Sequence, residues 1–190
     1  KWNAPFVSGV STTYLFSPAG EVTVKHSAKG LGLPMLKVGM RMGIKSTLDK
    51  VSWYGRGPHE TYFDRKTGGK ITLHEKSVAD LEHHYMRPQE NANRTDVRFV
   101  EFRNKEGKGL RFEALGETPI CFSSWHYTQD ELQKAKHIHQ LPHKDITTVN
   151  IDLNSIGVGG DMPGDAQVRE KYKLNPGKVY TYTFRMSPIK

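Results

Sequence analysis

Short runs of period-two alternation, each cut off by a turn signal, dominate this chain. Glu21-Val22-Thr23-Val24-Lys25-His26 takes polar and apolar residues in turn, and the rhythm returns at 34–44, 96–103, 147–153 and 178–186. Successive side chains of an extended strand point to opposite faces, so this rhythm buries one face and wets the other. Between the runs stand Ser17-Pro18-Ala19-Gly20, Gly68-Gly69, the 104–109 stretch and Asn175-Pro176-Gly177, all rich in turn formers. Roughly ten strands with turns every ~8–15 residues fit an antiparallel sandwich.

The chain divides as follows. Residues 1–11 read as an irregular lead-in, and 12–16 pairs with 21–26 as a hairpin. Residues 34–44 form a half-buried strand with Leu36, Val38, Met40 and Met42 on its apolar face. Residues 96–103 read as one alternating strand that turns at 104–109 and pairs back through 110–113. Residues 120–127 are the most apolar strand, and 78–86 fits one helical turn or a loop. Thr128 followed by Glu131 three residues later is a capping box, which predicts one short helix ending before Pro142. With no repeat, linker or low-complexity segment, 1–190 reads as a single domain.

Composition narrows the function classes. The formal net charge is +8 with 28 Lys+Arg, yet the basic residues are scattered and match no nucleic-acid motif. No apolar run approaches the ~18 residues of a membrane span. Cys121 is the only cysteine, so no disulfide forms within the chain, and its apolar surroundings predict an inert buried thiol. The sequence starts at Lys1 without a Met or a signal-like pattern, as expected of a piece of a longer protein.

Two polar stretches stand out. The first runs Trp53-Tyr54-Gly55-Arg56-Gly57-Pro58-His59-Glu60-Thr61-Tyr62-Phe63-Asp64-Arg65; the second is Pro88-Gln89-Glu90-Asn91-Ala92-Asn93-Arg94. Arg56 and Arg65 carry planar forks suited to clamping Glu60, Asp64 or nearby carbonyls. Such a stretch is either a structural knot or a ligand site. Glu60, Asp64 and Glu90 are the candidates for paired-carboxylate chemistry, but accompanying arginines would keep each ionised and engaged, which argues against a proton donor. His137 and His139, at i and i+2 on a strand, would share a face with His143 nearby. No Cys or acid completes a metal spacing, so they read as surface histidines. The loop at 157–164 is glycine-rich, but Pro163, Asp161 and Asp165 make it a poor phosphate cradle.

These motifs, in this order and together with the 123–139 segment and Gly157-Val158-Gly159-Gly160-Asp161, resemble the C-terminal domain, or small chain, of family 2 glycoside hydrolase β-galactosidases. The resemblance runs from about Thr12 to Met186. It implies an all-β fold: an antiparallel β-supersandwich similar to the galactose mutarotase fold, here with one short helix. It also implies that terminal β-galactosides are hydrolysed with retention by glutamates on a separate TIM-barrel domain. This chain would then hold no catalytic residue and be inert alone. The family domain is longer at its N-terminus, so the first strands are expected to be missing. The resemblance implies no cofactor here, parent Mg or Na ions being bound elsewhere. Its implied partners are the rest of the enzyme, the galactoside and further copies of the parent in a homo-oligomer, with neither nucleic acid nor membrane.

Relatives close the galactose subsite with a tryptophan after the acidic loop. Gly164 stands there in this sequence, and no aromatic occurs between Ile156 and Lys171. Asp161, Met162, Pro163 and Gly164 are therefore carried over as a substrate-subsite edge. Trp53, Gly55, Arg56, Gly57, Pro58, Glu60, Tyr62, Asp64, Arg65, Pro88, Glu90, Asn91 and Arg94 are assigned to scaffolding. Two rivals remain: a carbohydrate-binding module stacking sugar on Trp2, Trp53 and Trp125, and an epimerase pairing His126 with Glu90.

Overall fold

The computed structural model describes residues 7–159 and 168–190. Its strands form two antiparallel sheets. The larger runs β1 (Val7–Phe16), β2 (Val22–Gly30), β11 (Val179–Ile189), β8 (Gly109–Ala114), β7 (Phe99–Arg103), β4 (Lys50–Gly57), β5 (Lys70–Ser77). The smaller runs β3 (Lys37–Lys45), β10 (Ile146–Ser155), β9 (Ile120–Trp125), β6 (Arg94–Val97). The expected hairpin of 12–16 with 21–26 forms, and 99–103 pairs back with 109–113, although β1 begins at Val7, inside the stretch read as irregular.

The core lies between the sheets. Trp53, Val100, Phe102, Phe112 and Phe184 of the large sheet meet Phe122, Ile120 and Ile151 of the small one. Phe122 sits edge-on to Trp53 at 5.6 Å and to Phe102 at 6.3 Å, a favoured geometry for ring quadrupoles. The Tyr182 hydroxyl donates across the layers to the Ile151 carbonyl at 2.7 Å. Cys121 is buried as expected, and burial pushes its thiol pKa far up.

Several elements differ from the sequence reading. The 96–103 run is two strands in different sheets. Asp96 takes φ 55°, and the chain passes there from β6 in the small sheet to β7 in the large one. Alternation continues through the break, so periodicity does not reveal it. What holds it is ionic: Arg56 pairs with Asp96 at 2.5 Å and Lys66 adds a second contact at 3.0 Å. Gly55 makes room, since a Cβ there would come within 2.8 Å of the Val97 backbone.

Before β3 the expected faces invert: Met35 is buried, bridging to Leu174, while Leu36 is exposed. Of the two alternatives for 78–86, the helical turn forms, as α1 (Val78–Leu81), beside the expected capped helix α2 (Gln129–Lys134). Residues Ile138–Gln140 form a 3₁₀ turn, so His137 and His139 do not lie on a strand.

The scattered basic residues gain a partial explanation on the large sheet. Arg185, Glu113, Arg111, Glu101 and Arg103 form a ladder of ion pairs, with contacts of 2.7, 3.3, 2.8 and 2.9 Å. Such half-exposed pairs stabilise little individually, and they serve mainly to set cross-strand register.

Candidate functional site

The two polar stretches are tied to each other at one end of the sandwich. Trp53 is fully buried on β4, its indole N–H donating to the Arg56 carbonyl at 3.0 Å. Beyond β4, the Gly57–Pro58 peptide is cis. Residues 62–65 then close a tight turn, with Tyr62 and Arg65 exchanging backbone hydrogen bonds of 3.2 and 2.8 Å.

Glu60 is the first tie. Its carboxylate accepts from the Ala92 N–H at 3.0 Å, from Arg65 at 2.5 Å and from the Tyr85 hydroxyl. It thereby holds Ala92 at φ 61°, a left-handed conformation that a non-glycine residue adopts at a cost. Thr61 and Asn93 are the second tie: the Thr61 N–H donates to the Asn93 carbonyl at 2.7 Å, and the Asn93 side-chain amide returns a bond to the Thr61 carbonyl at 2.8 Å. Asn91 spans its own loop, accepting from the His83 N–H and donating to the Gln89 carbonyl, next to buried Pro88.

Arg94 is the third tie. It is 1% exposed and donates to three carbonyls, those of Pro58, Ala92 and Leu81, at 2.9, 2.8 and 3.2 Å. Its guanidinium also lies over the Trp53 ring at 5.4 Å. Burial lowers its pKa to about 10, which leaves it charged at neutral pH.

Arg56 clamps nearby carbonyls, those of Lys66 and Gly69, as one expected alternative had it, but the acid it meets is Asp96 rather than Glu60 or Asp64. Glu60 has the expected arginine partner, Arg65. Glu90 pairs with Lys37, and Asp64 accepts from the backbone N–H of Gly159 at 3.1 Å.

A cluster the sequence reading missed lies at the base of this end. Lys37 opens β3 and sits between Glu90 and the buried Asp152, 3.2 Å from the latter. One lysine faces two acids. Burial raises the Asp152 pKa to about 6 despite Lys37, and Glu90 adds to the rise. The two carboxylates together overcome desolvation and raise the Lys37 pKa. Lys37, Tyr62, Glu90, Asn93, Ser123 and Val158 line a small cavity of about 140 Å³. Asp152 gave no signal because a polar residue in an alternating strand reads as solvent-facing, and here both faces of β10 are covered.

The residues named for the two rivals do not come together. Trp53 and Trp125 are both 0% exposed and cannot present a stacking platform, and Trp2 lies outside the described residues. His126 lines a separate cleft of about 950 Å³, near Asp49 (3.1 Å) and Thr147 (3.0 Å), so it does not meet Glu90. His143 packs on His126, with ring centroids 4.4 Å apart, rather than joining His137 and His139. Among the described residues, no group of three or more His, Cys, Asp or Glu is placed to hold a metal. Asp161, Met162, Pro163 and Gly164 also lie outside the described residues, but Asp64 reaches the stretch leading to them.

An antiparallel all-β sandwich whose polar motifs brace one rim, with its acids tied to cations and amides, is the class these observations define. Comparison with known proteins then gives the family: a family model described as the β-galactosidase small chain matches residues 2–186, and the chain belongs to that family. It is 36% identical over 179 residues to the β-galactosidase of Priestia megaterium, a match covering 93% of this chain and 17% of that protein. The β-galactosidase of Halalkalibacterium halodurans is 32% identical over 180 residues, covering 95% and 17%. That of Streptococcus thermophilus is 29% identical over 182 residues, covering 95% and 18%. The chain thus spans about a sixth of the length of these curated relatives.

Proposed function

We propose that this chain is the C-terminal supersandwich domain of a retaining β-galactosidase, and that it buttresses the catalytic domain and rims its substrate pocket. Hydrolysis of terminal β-D-galactosides falls to glutamates on a TIM-barrel domain elsewhere in the polypeptide, and any Mg or Na ions of the parent are bound outside this chain. Asp161, Met162, Pro163 and Gly164 form the edge of the galactose subsite. The parent assembles as a homo-oligomer.

The observation that carries this reading is the convergence of three separated motifs at one end of the sandwich. Residues 53–65, 88–94 and 155–159 meet there through Glu60, Asn93, Arg94 and Asp64. Buried ionic ties are costly to build and hold backbone in fixed places, which suits a rim that must keep its shape beside a substrate. The tied state of Glu60 and Glu90 also fits a supporting role, since neither carboxylate is free to hand over a proton. The edge strand β1 supports membership in a larger polypeptide. Val10, Tyr14, Leu15 and Phe16 are 49–77% exposed along it, an apolar edge that a longer chain would cover.

The test is a chromogenic β-galactoside offered to the purified 190-residue chain and to the full enzyme. The chain alone should release no chromophore, and the full enzyme should lose turnover when this domain is removed. Robust turnover by the isolated chain would refute the proposal.

A further inference from the structure

The stretch 157–159 is held from a distance of almost a hundred residues in sequence, by a residue that takes no part in the three ties above. Asp64 sits in the tight turn 62–65. That turn is itself immobilised. Tyr62 is buried, Arg65 is fixed to Glu60, and the Arg65 guanidinium lies 5.5 Å from the Tyr62 ring centroid. From this platform the Asp64 carboxylate accepts from the Gly159 N–H at 3.1 Å.

Two further observations show that the contact is built rather than incidental. Gly157 packs directly on the carboxylate: a Cβ at that position would fall inside it, so only glycine permits this approach. The second carboxylate oxygen, Oδ1, is buried and accepts no hydrogen bond among the described residues. Asp64 also lies between two hollows. It lines one of about 470 Å³ together with Glu60 and Arg65, while Gly157 and Val158 line the 140 Å³ cavity.

We propose that Asp64 is a positioning residue: it fixes residues 157–159 against the braced rim and so tunes how tightly a galactoside binds at that rim. This rests on the rim reading above. Asp64 touches no reacting atom in this scheme. It acts through the backbone it holds, and its effect falls on substrate binding more than on bond cleavage.

The test uses Asp64→Ala and Asp64→Asn, with Gly157→Ala as a second way of breaking the same contact. In the 190-residue chain, exchange of the Gly159 amide proton should quicken about tenfold in Asp64→Ala and stay near wild type in Asp64→Asn, whose side-chain oxygen still accepts. In the full enzyme, Asp64→Ala and Gly157→Ala should raise KM for a chromogenic galactoside about fivefold or more with kcat within about threefold, and Asp64→Asn should restore KM. Unchanged Gly159 exchange in Asp64→Ala overturns the proposal. So does a fall in kcat that tracks a loss of unfolding temperature in all three variants. Absence of galactoside turnover in the wild-type enzyme would instead sink the functional reading, and the exchange experiment would still decide whether Asp64 holds the stretch.

Discussion

Replacing Asp152 by asparagine should erase a pH-dependent weakness built into the fold. Asp152 is 1% exposed and shares Lys37 with Glu90. Burial takes its pKa from an ordinary 3.8 to about 6. Between those two values the folded chain binds more protons at this site than the unfolded chain does, so stability falls as pH rises through the window. A displacement of that size corresponds to about 3 kcal/mol, at ~1.4 kcal/mol per pH unit. The loss should be complete a little above pH 6. Acids held low, such as Glu113 beneath the Arg185 guanidinium, act in the opposite direction, but they are common to both proteins and cancel. The carboxamide of the variant would mimic the protonated carboxyl at every pH. Urea denaturation of wild type and Asp152→Asn at several pH values between 3.5 and 7.5 gives the comparison. The stability difference should shift by about 3 kcal/mol in favour of the variant across that range. Parallel pH curves would show that Asp152 is ionised in the fold as readily as in water, and the account of Lys37 as one cation shared by two acids would be wrong.

Two other perturbations probe the scaffold. Arg94→Met keeps the volume but strands three buried carbonyls and removes the cation from the Trp53 face; it should cost about 3–5 kcal/mol by denaturant midpoint, and a cost under about 1 kcal/mol would contradict the bracing role. Thr128→Ala removes a capping box in which Thr128 accepts from the Glu131 N–H; it should cost about 1 kcal/mol and speed amide exchange within Gln129–Lys134 while leaving β9 unchanged.

How much of this was legible in the chain follows from the range over which each signal acts. The 104–109 turn and the hairpins it and residues 17–20 make possible are written in adjacent residues, because turn geometry and strand alternation are local. The α2 cap is equally local: Thr128 and Glu131 satisfy each other within one turn. Burial of Cys121 followed from its apolar neighbours. Motif order alone pointed to the β-galactosidase small-chain family, and the matching family model agrees.

Which cation meets which acid was decided elsewhere. Arg56 finds Asp96 across 40 residues, Lys37 finds Glu90 across 53, and Asp64 finds Gly159 across 95. A charge carries no mark of its partner in the sequence; only the folded course of strands and connections puts the pair within reach. The same holds for the break at Asp96, where the alternation runs on while the strand changes sheets, and for Asp152, which is buried beside Lys37 on a face that alternation marks as wet. Periodicity reports that a face exists. What covers that face depends on strand order and on the crossover between sheets, and these exist only once the chain has folded.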